Sequence, residues 1–119
     1  MESHIIKRTD IPVQNEVWGT LQWLVSAAGG TSDSMTLGRV TINPGCKNTA
    51  HRHPNCEEIL FVVQGTIEHT LPEGGSVKLE AGDSIVLPRS GGHQATNAGT
   101  REAVLIVAYN SAERQTIGE

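Results

Sequence analysis

Short apolar stretches, each cut off by glycine, proline, asparagine or aspartate, recur along this 119-residue chain. They cover residues 20–26, 35–42, 58–63, 66–71, 76–79, 84–87 and 102–109, with breaks at 29–34, Pro44-Gly45, 72–75, 81–83 and 90–92. Runs of that length, rich in β-branched residues and separated by turn chemistry, predict strands. Their even spacing predicts an all-β sandwich or barrel. No segment of ten or more residues carries a helical period with caps. The polar stretch from Ser111 reads as a short helix or a loose tail. Thirteen glycines fit a fold with many tight turns, where positive φ costs glycine nothing.

Length narrows the picture to one domain over residues 1–119, long enough to bury a core without disulfides or metals as staples. A metal, if bound, is then expected to serve function rather than folding. The formal net charge is -4 and no block of Lys or Arg occurs, so nucleic acid and anionic membrane surfaces are not expected partners. Apolar runs such as 103–109 are too short to span a bilayer, and residues 1–15 lack the basic-then-apolar plan of a secretion signal. The expected location is the cytoplasm. Cys46 and Cys56 form neither a disulfide framework nor a paired C-x-x-C motif. Both are read as reduced thiols with packing or turn roles.

The chemistry concentrates between Gly45 and Gly65. His51 and His53 are separated by one residue, which on a strand puts both imidazoles on one face with Cα atoms roughly 7 Å apart. Pro54-Asn55 supplies a turn, and the run from Ile59 to Val63 returns as a strand that carries a carboxylate, Glu57 or Glu58, back beside them. A lone His-x-His is weak evidence. A second pattern accompanies it, Gly82-Asp83-Ser84-Ile85-Val86-Leu87-Pro88-Arg89-Ser90-Gly91-Gly92-His93-Gln94-Ala95-Thr96-Asn97.

With these two stretches the chain resembles the cupin superfamily, as a small single-domain member. The family's first motif, G-x5-H-x-H-x3-4-E-x6-G, is matched by Gly45, His51, His53, Glu58 and Gly65. Its second, G-x5-P-x-G-x2-H-x3-N, is matched by Gly82, Pro88, His93 and Asn97. Ser90 stands where the family has glycine, and the adjacent Gly91 and Gly92 are expected to restore the turn's freedom. The resemblance implies a jelly-roll β-barrel open at one end, a homodimer, and one metal held by His51, His53, Glu58 and His93. It thereby selects Glu58 over Glu57, which is then expected to face solvent. Three imidazoles and one carboxylate suit Fe, Mn, Ni, Zn, Co or Cu as divalent ions; Ca or Mg would call for more oxygens.

His69 shares a strand face with Ile67 and Leu71 and is expected to point into the barrel. There it is a candidate general base or anchor for an anionic substrate, the alternative being a hydrogen-bonded core histidine. Arg89 and Gln94 flank the second motif and are candidates for holding a substrate carboxylate. Trp18 and Trp23, with Phe61 and Tyr109 the only aromatics, read as core or dimer contacts. The expected function is a metal-dependent enzyme acting on a small oxygen-rich molecule that chelates the ion. Dioxygenase, isomerase, decarboxylase and lyase chemistry all fit that description. A non-catalytic cupin that binds or senses a metal or small molecule is the competing reading.

Overall fold

A computed structural model describes residues 3–118. A single 3-10 turn (Arg8–Asp10) precedes eleven strands: β1 (Gln14–Glu16), β2 (Gly19–Val25), β3 (Thr36–Ile42), β4 (His51–Arg52), β5 (Glu58–Gln64), β6 (Thr66–Thr70), β7 (Ser76–Glu80), β8 (Ser84–Leu87), β9 (Ala95–Asn97), β10 (Ala103–Tyr109) and β11 (Ile117–Gly118). The expected all-β jelly roll is what forms. One sheet has the order β1-β2-β3-β10-β5-β8; the other layer is built from β7-β6-β9 and the pair β11-β4, with every pairing antiparallel. No helix among the described residues is long and apolar enough to cross a membrane.

Alternation decides which residues face the barrel. On β5, Glu58, Leu60 and Val62 are buried while Ile59, Phe61 and Val63 are exposed. The register carries that inward set across the sheet: Leu60 lies opposite Val107, Val62 opposite Leu105, and Glu58 opposite both Tyr109 and Leu87. Directly opposed residues share a face, so the carboxylate of Glu58 sits on the inner surface with an apolar floor beyond it. Ile42, Val62, Ile67 and Ala103 are fully buried. Burial of such side chains, at roughly 1.5–3 kcal/mol each, is the main force closing the sheets on one another.

The segment from Gly45 to His53 runs antiparallel to the segment from Ser90 to Asn97. The Cys46 carbonyl accepts from Asn97 N at 2.8 Å, the Asn48 amide donates to the Ala95 carbonyl at 3.1 Å, and Ser90 N donates to the His53 carbonyl at 2.9 Å. Asn97 itself is buried and holds three backbone groups: its Nδ2 donates to the Ile42 and Arg101 carbonyls and its Oδ1 accepts from Gly99 N. The asparagine of the second motif is thus a structural clamp beneath the site.

Two expectations change. The tail from Ser111 is neither a helix nor loose. Residues Ile117–Gly118 pair with Arg52 and His51, and Asn55 holds the preceding chain through the Glu113 carbonyl and Gln115 N. At the second motif, Gly91 and Gly92 do not supply the left-handed residue; Ser90 does, with φ 63°, alone among the described non-glycine residues. Gly91 is needed for space instead, since a Cβ there would lie 2.8 Å from Pro72 Cγ. A left-handed conformation costs a non-glycine residue about 1–2 kcal/mol, partly offset by glycine's freer unfolded chain. Ser90→Gly is therefore expected to stabilise the protein by about 0.5–1 kcal/mol, read as a raised urea midpoint at unchanged slope.

Candidate metal centre

Main-chain pairing sets the histidines against each other. His51 N donates to the His93 carbonyl at 3.1 Å and His93 N donates to the His51 carbonyl at 2.8 Å. Two residues paired this way project to the same side, and their rings come within 4.3 Å, centroid to centroid. His53 follows one step along the strand direction, with its ring 4.8 Å from that of His51. Glu58 enters from the opposite sheet: its Oε1 lies 3.2 Å from His53 Nε2 and 3.4 Å from His93 Nε2. The ligand atoms of His51, His53, Glu58 and His93 all lie within 4.8 Å of one another.

Backbone carbonyls fix the tautomers of two of the rings. His51 Nδ1 donates to the Thr49 carbonyl at 2.6 Å and His53 Nδ1 donates to the Gln115 carbonyl at 2.9 Å. A neutral imidazole carries one proton, so each Nε2 is left with a free lone pair. Outer partners of this kind orient metal-binding histidines and raise their basicity.

The donor set fits a metal. His53 Nε2, His93 Nε2 and Glu58 Oε1 are buried without a hydrogen-bond partner, an arrangement costly for neutral and charged groups alike. Bonds of about 2.0–2.2 Å place adjacent ligand atoms roughly 3 Å apart, close to the two carboxylate-imidazole separations. The four residues constitute a ligand set for one divalent transition metal.

Electrostatics agree. Burial works against the charge on Glu58, but the approach of His53 and the field of the surrounding imidazoles hold its carboxyl below the ordinary range. Burial pushes His51 and His69 below the ordinary 6.5, and His93 falls to about 4 for the same reason. All are neutral at pH 7, as coordination requires. In the metal-free protein this depression has a sign. Between pH 6.5 and pH 4 the unfolded chain binds a proton at position 93 that the folded chain refuses, so stability falls as pH drops through that window. The expected loss from His93 is about 3 kcal/mol by pH 4, measured as the shift in urea midpoint of chelator-treated protein between pH 7 and pH 4.

The cluster opens on a cavity of about 350 Å³. His69 lines it, fully buried, with its ring stacked on that of His93 at 5.5 Å and 14° between planes. Its Nδ1 donates to the Thr70 carbonyl at 2.7 Å, which leaves an unprotonated Nε2 with no protein partner. Glu57 is exposed, on the side away from the cluster. Arg89 is also exposed, and Gln94 spends its Nε2 on the Asn48 carbonyl at 2.6 Å. Neither lines the cavity.

Three lining residues escaped the sequence reading. Trp18 and Trp23 pack against the core as expected, and they also wall the cavity, which the sequence did not announce. Arg114, the one Lys or Arg side chain lining it among the described residues, stacks on Trp23 with its guanidinium carbon 3.7 Å from the ring centroid. The only sequence signal for Arg114 was an arginine in a tail rich in hydrogen-bonding residues.

Comparison with known proteins places this geometry. A family model described as a cupin domain matches residues 38–109. Germin-like protein 5-1 of Oryza sativa subsp. japonica is 35% identical over 81 residues, covering 65% of this chain and 37% of that protein. Among solved structures, the oxalate decarboxylase of Lactobacillus farciminis superposes with a TM-score of 0.85 at 22% identity, over 92% of this chain and 34% of that one. The polyketide cyclase RemF of Streptomyces resistomycificus superposes with a TM-score of 0.78 at 21% identity, over 99% and 85%. The chain spans just over a third of the germin-like protein and of the decarboxylase.

Proposed function

This chain belongs to the cupin family, and from that premise we propose that it is a metal-dependent enzyme acting on a small molecule that chelates the ion through adjacent oxygens. The observation that carries the proposal is the convergence of three imidazoles and one buried carboxylate on an open cavity. A buried cluster built only to brace the fold would have no reason to face a void large enough for a ligand. The similarity to structures named as an oxalate decarboxylase and a polyketide cyclase supports the same reading.

In this reading His51, His53, Glu58 and His93 hold the metal, which supplies Lewis-acid chemistry or a site for O₂ beside the substrate. His69 accepts a proton or hydrogen bond from the substrate at Nε2, since its other nitrogen is committed to Thr70. Tyr109, whose phenol burial raises well above its ordinary value, stays neutral at the cavity wall. Two free thiols, Cys46 and Cys56, fit a reducing compartment such as the cytoplasm.

The test is turnover by Fe(II)-, Mn(II)- and Ni(II)-loaded protein, with and without oxygen, on oxalate, 2-keto acids and vicinal diols. Oxygen consumption assigns an oxidase or dioxygenase, and oxygen-independent product assigns an isomerase, lyase or decarboxylase. Absence of product with every metal removes the enzyme reading in favour of a binding module.

A homodimer belongs to the same proposal. Ile59, Phe61, Val63 and Val86 stand 49%, 41%, 48% and 64% exposed on the outer face of the six-stranded sheet, with Ile59 and Val86 directly opposed across β5 and β8. A contiguous apolar face of this kind marks a contact surface, and a second copy of the chain is the occupant it suits. Phe61→Glu is expected to convert a dimer to a monomer in light scattering while leaving metal content at one per chain.

A further inference from the structure

Away from the histidines the cavity walls are mainly apolar. Leu60, Leu105 and Val107 form an aliphatic floor, and Trp18, Trp23 and Tyr109 form aromatic sides. The indole of Trp23 lies against the backbone of β3 because position 38 is glycine: a Cβ there would come within 2.6 Å of Trp23 Cζ3 and 3.1 Å of Val107. The missing side chain at position 38 makes room for the indole, on whose ring the Arg114 guanidinium stacks.

Beside the metal ligands, His69 Nε2 faces the cavity without a protein partner, whereas three other polar lining residues already have partners. Asn48 accepts from Gln94 Nε2 at its carbonyl and from Ala95 N at its Oδ1. Glu16 accepts from Gln14, and Arg114 donates to Thr116 Oγ1 while its flat face covers Trp23. A two-carbon diacid bound at the metal would leave the apolar walls facing water. At ~30 Å³ per water molecule, 350 Å³ holds a ligand of about ten non-hydrogen atoms.

We propose that this cavity takes an amphipathic chelator, with its adjacent oxygens confined to one end and a ring-sized apolar body at the other, seated against Trp18, Leu105 and Val107. The proposal rests on the metal-centre reading above and adds the chemistry of the substrate's remainder.

Glycolate and mandelate share one α-hydroxy acid end and differ by a phenyl ring, so comparing them isolates the body from the chelate. In calorimetric titration of the metal-loaded full chain, mandelate is expected to bind about ten- to a hundredfold more tightly than glycolate, the factor that burial of a phenyl-sized surface gives. Trp18→Ala is expected to lower mandelate affinity at least about fivefold with metal content unchanged. Val107→Thr, which keeps the side chain's shape, is expected to act in the same direction and to leave glycolate affinity where it was. Equal or weaker binding of mandelate by protein that retains its metal overturns the inference and leaves the metal centre standing. Failure to load a metal at all overturns both.

Discussion

His93→Ala is expected to lower affinity for a divalent transition metal by more than about a hundredfold. Loss of an outer partner alone costs ten- to a hundredfold, and this change removes a direct donor. Nothing nearby substitutes for it. His69, whose ring stacks on His93, directs its bonded nitrogen to Thr70 and lies outside the set of ligand atoms that converge within 4.8 Å. His51→Ala is expected to behave alike, because the two rings are set by one reciprocal pair of backbone bonds. His69→Ala is expected to retain one metal per chain. Metal analysis after desalting, followed by competition against a chelator of known affinity, separates these outcomes. Loss of metal from the His69 variant with retention in the His93 variant would falsify the ligand assignment.

Ending the chain after Glu113 is the second large effect. The deletion removes the Gln115 carbonyl that orients His53, the Thr116 hydroxyl 3.2 Å from the same nitrogen, the β11-β4 pairing and the Arg114 cover on Trp23. The core residues Val40, Ile42, Leu60, Val62, Ile67 and Leu105 all lie upstream, so the barrel is expected to fold. Metal affinity is expected to fall ten- to a hundredfold, as for other losses of a carbonyl that fixes a ligand ring. Circular dichroism checks the fold and chelator competition checks the metal. An unchanged affinity in a folded, truncated chain would mean that the tail merely covers the site.

How much of this was legible beforehand follows from where each feature's cause lies. Strands such as β5 and β10 carry their instructions locally, in short apolar runs bounded by turn residues, and the burial of Glu58 beside exposed Glu57 agrees with the choice that the motif resemblance made. The ligand set was legible through the resemblance to the two cupin motifs, whose spacing singles out His51, His53, Glu58 and His93. Strand β11 was not. It is two residues long, and its reason for being extended is the partner strand bearing His51, which no local pattern announces. The tryptophans were legible as core contacts but not as cavity walls: an aromatic on an inner sheet face packs on the core, and whether it also borders a void depends on what stands across the strand pair. Here that is Gly38, whose missing side chain makes room for Trp23. Arg89 is adjacent in sequence to the second motif's turn, yet its side chain is exposed and does not line the cavity.

The chain contains two tryptophans and one tyrosine, and all three border the same cavity. Nearly all of its near-ultraviolet absorbance, and all of its indole fluorescence, therefore originates at the walls of one compartment. The emission spectrum is a report on that compartment's polarity and contents, undiluted by chromophores elsewhere. Entry of a ligand, displacement of Arg114 from its stack on Trp23 or arrival of a quenching metal would each be visible without a label.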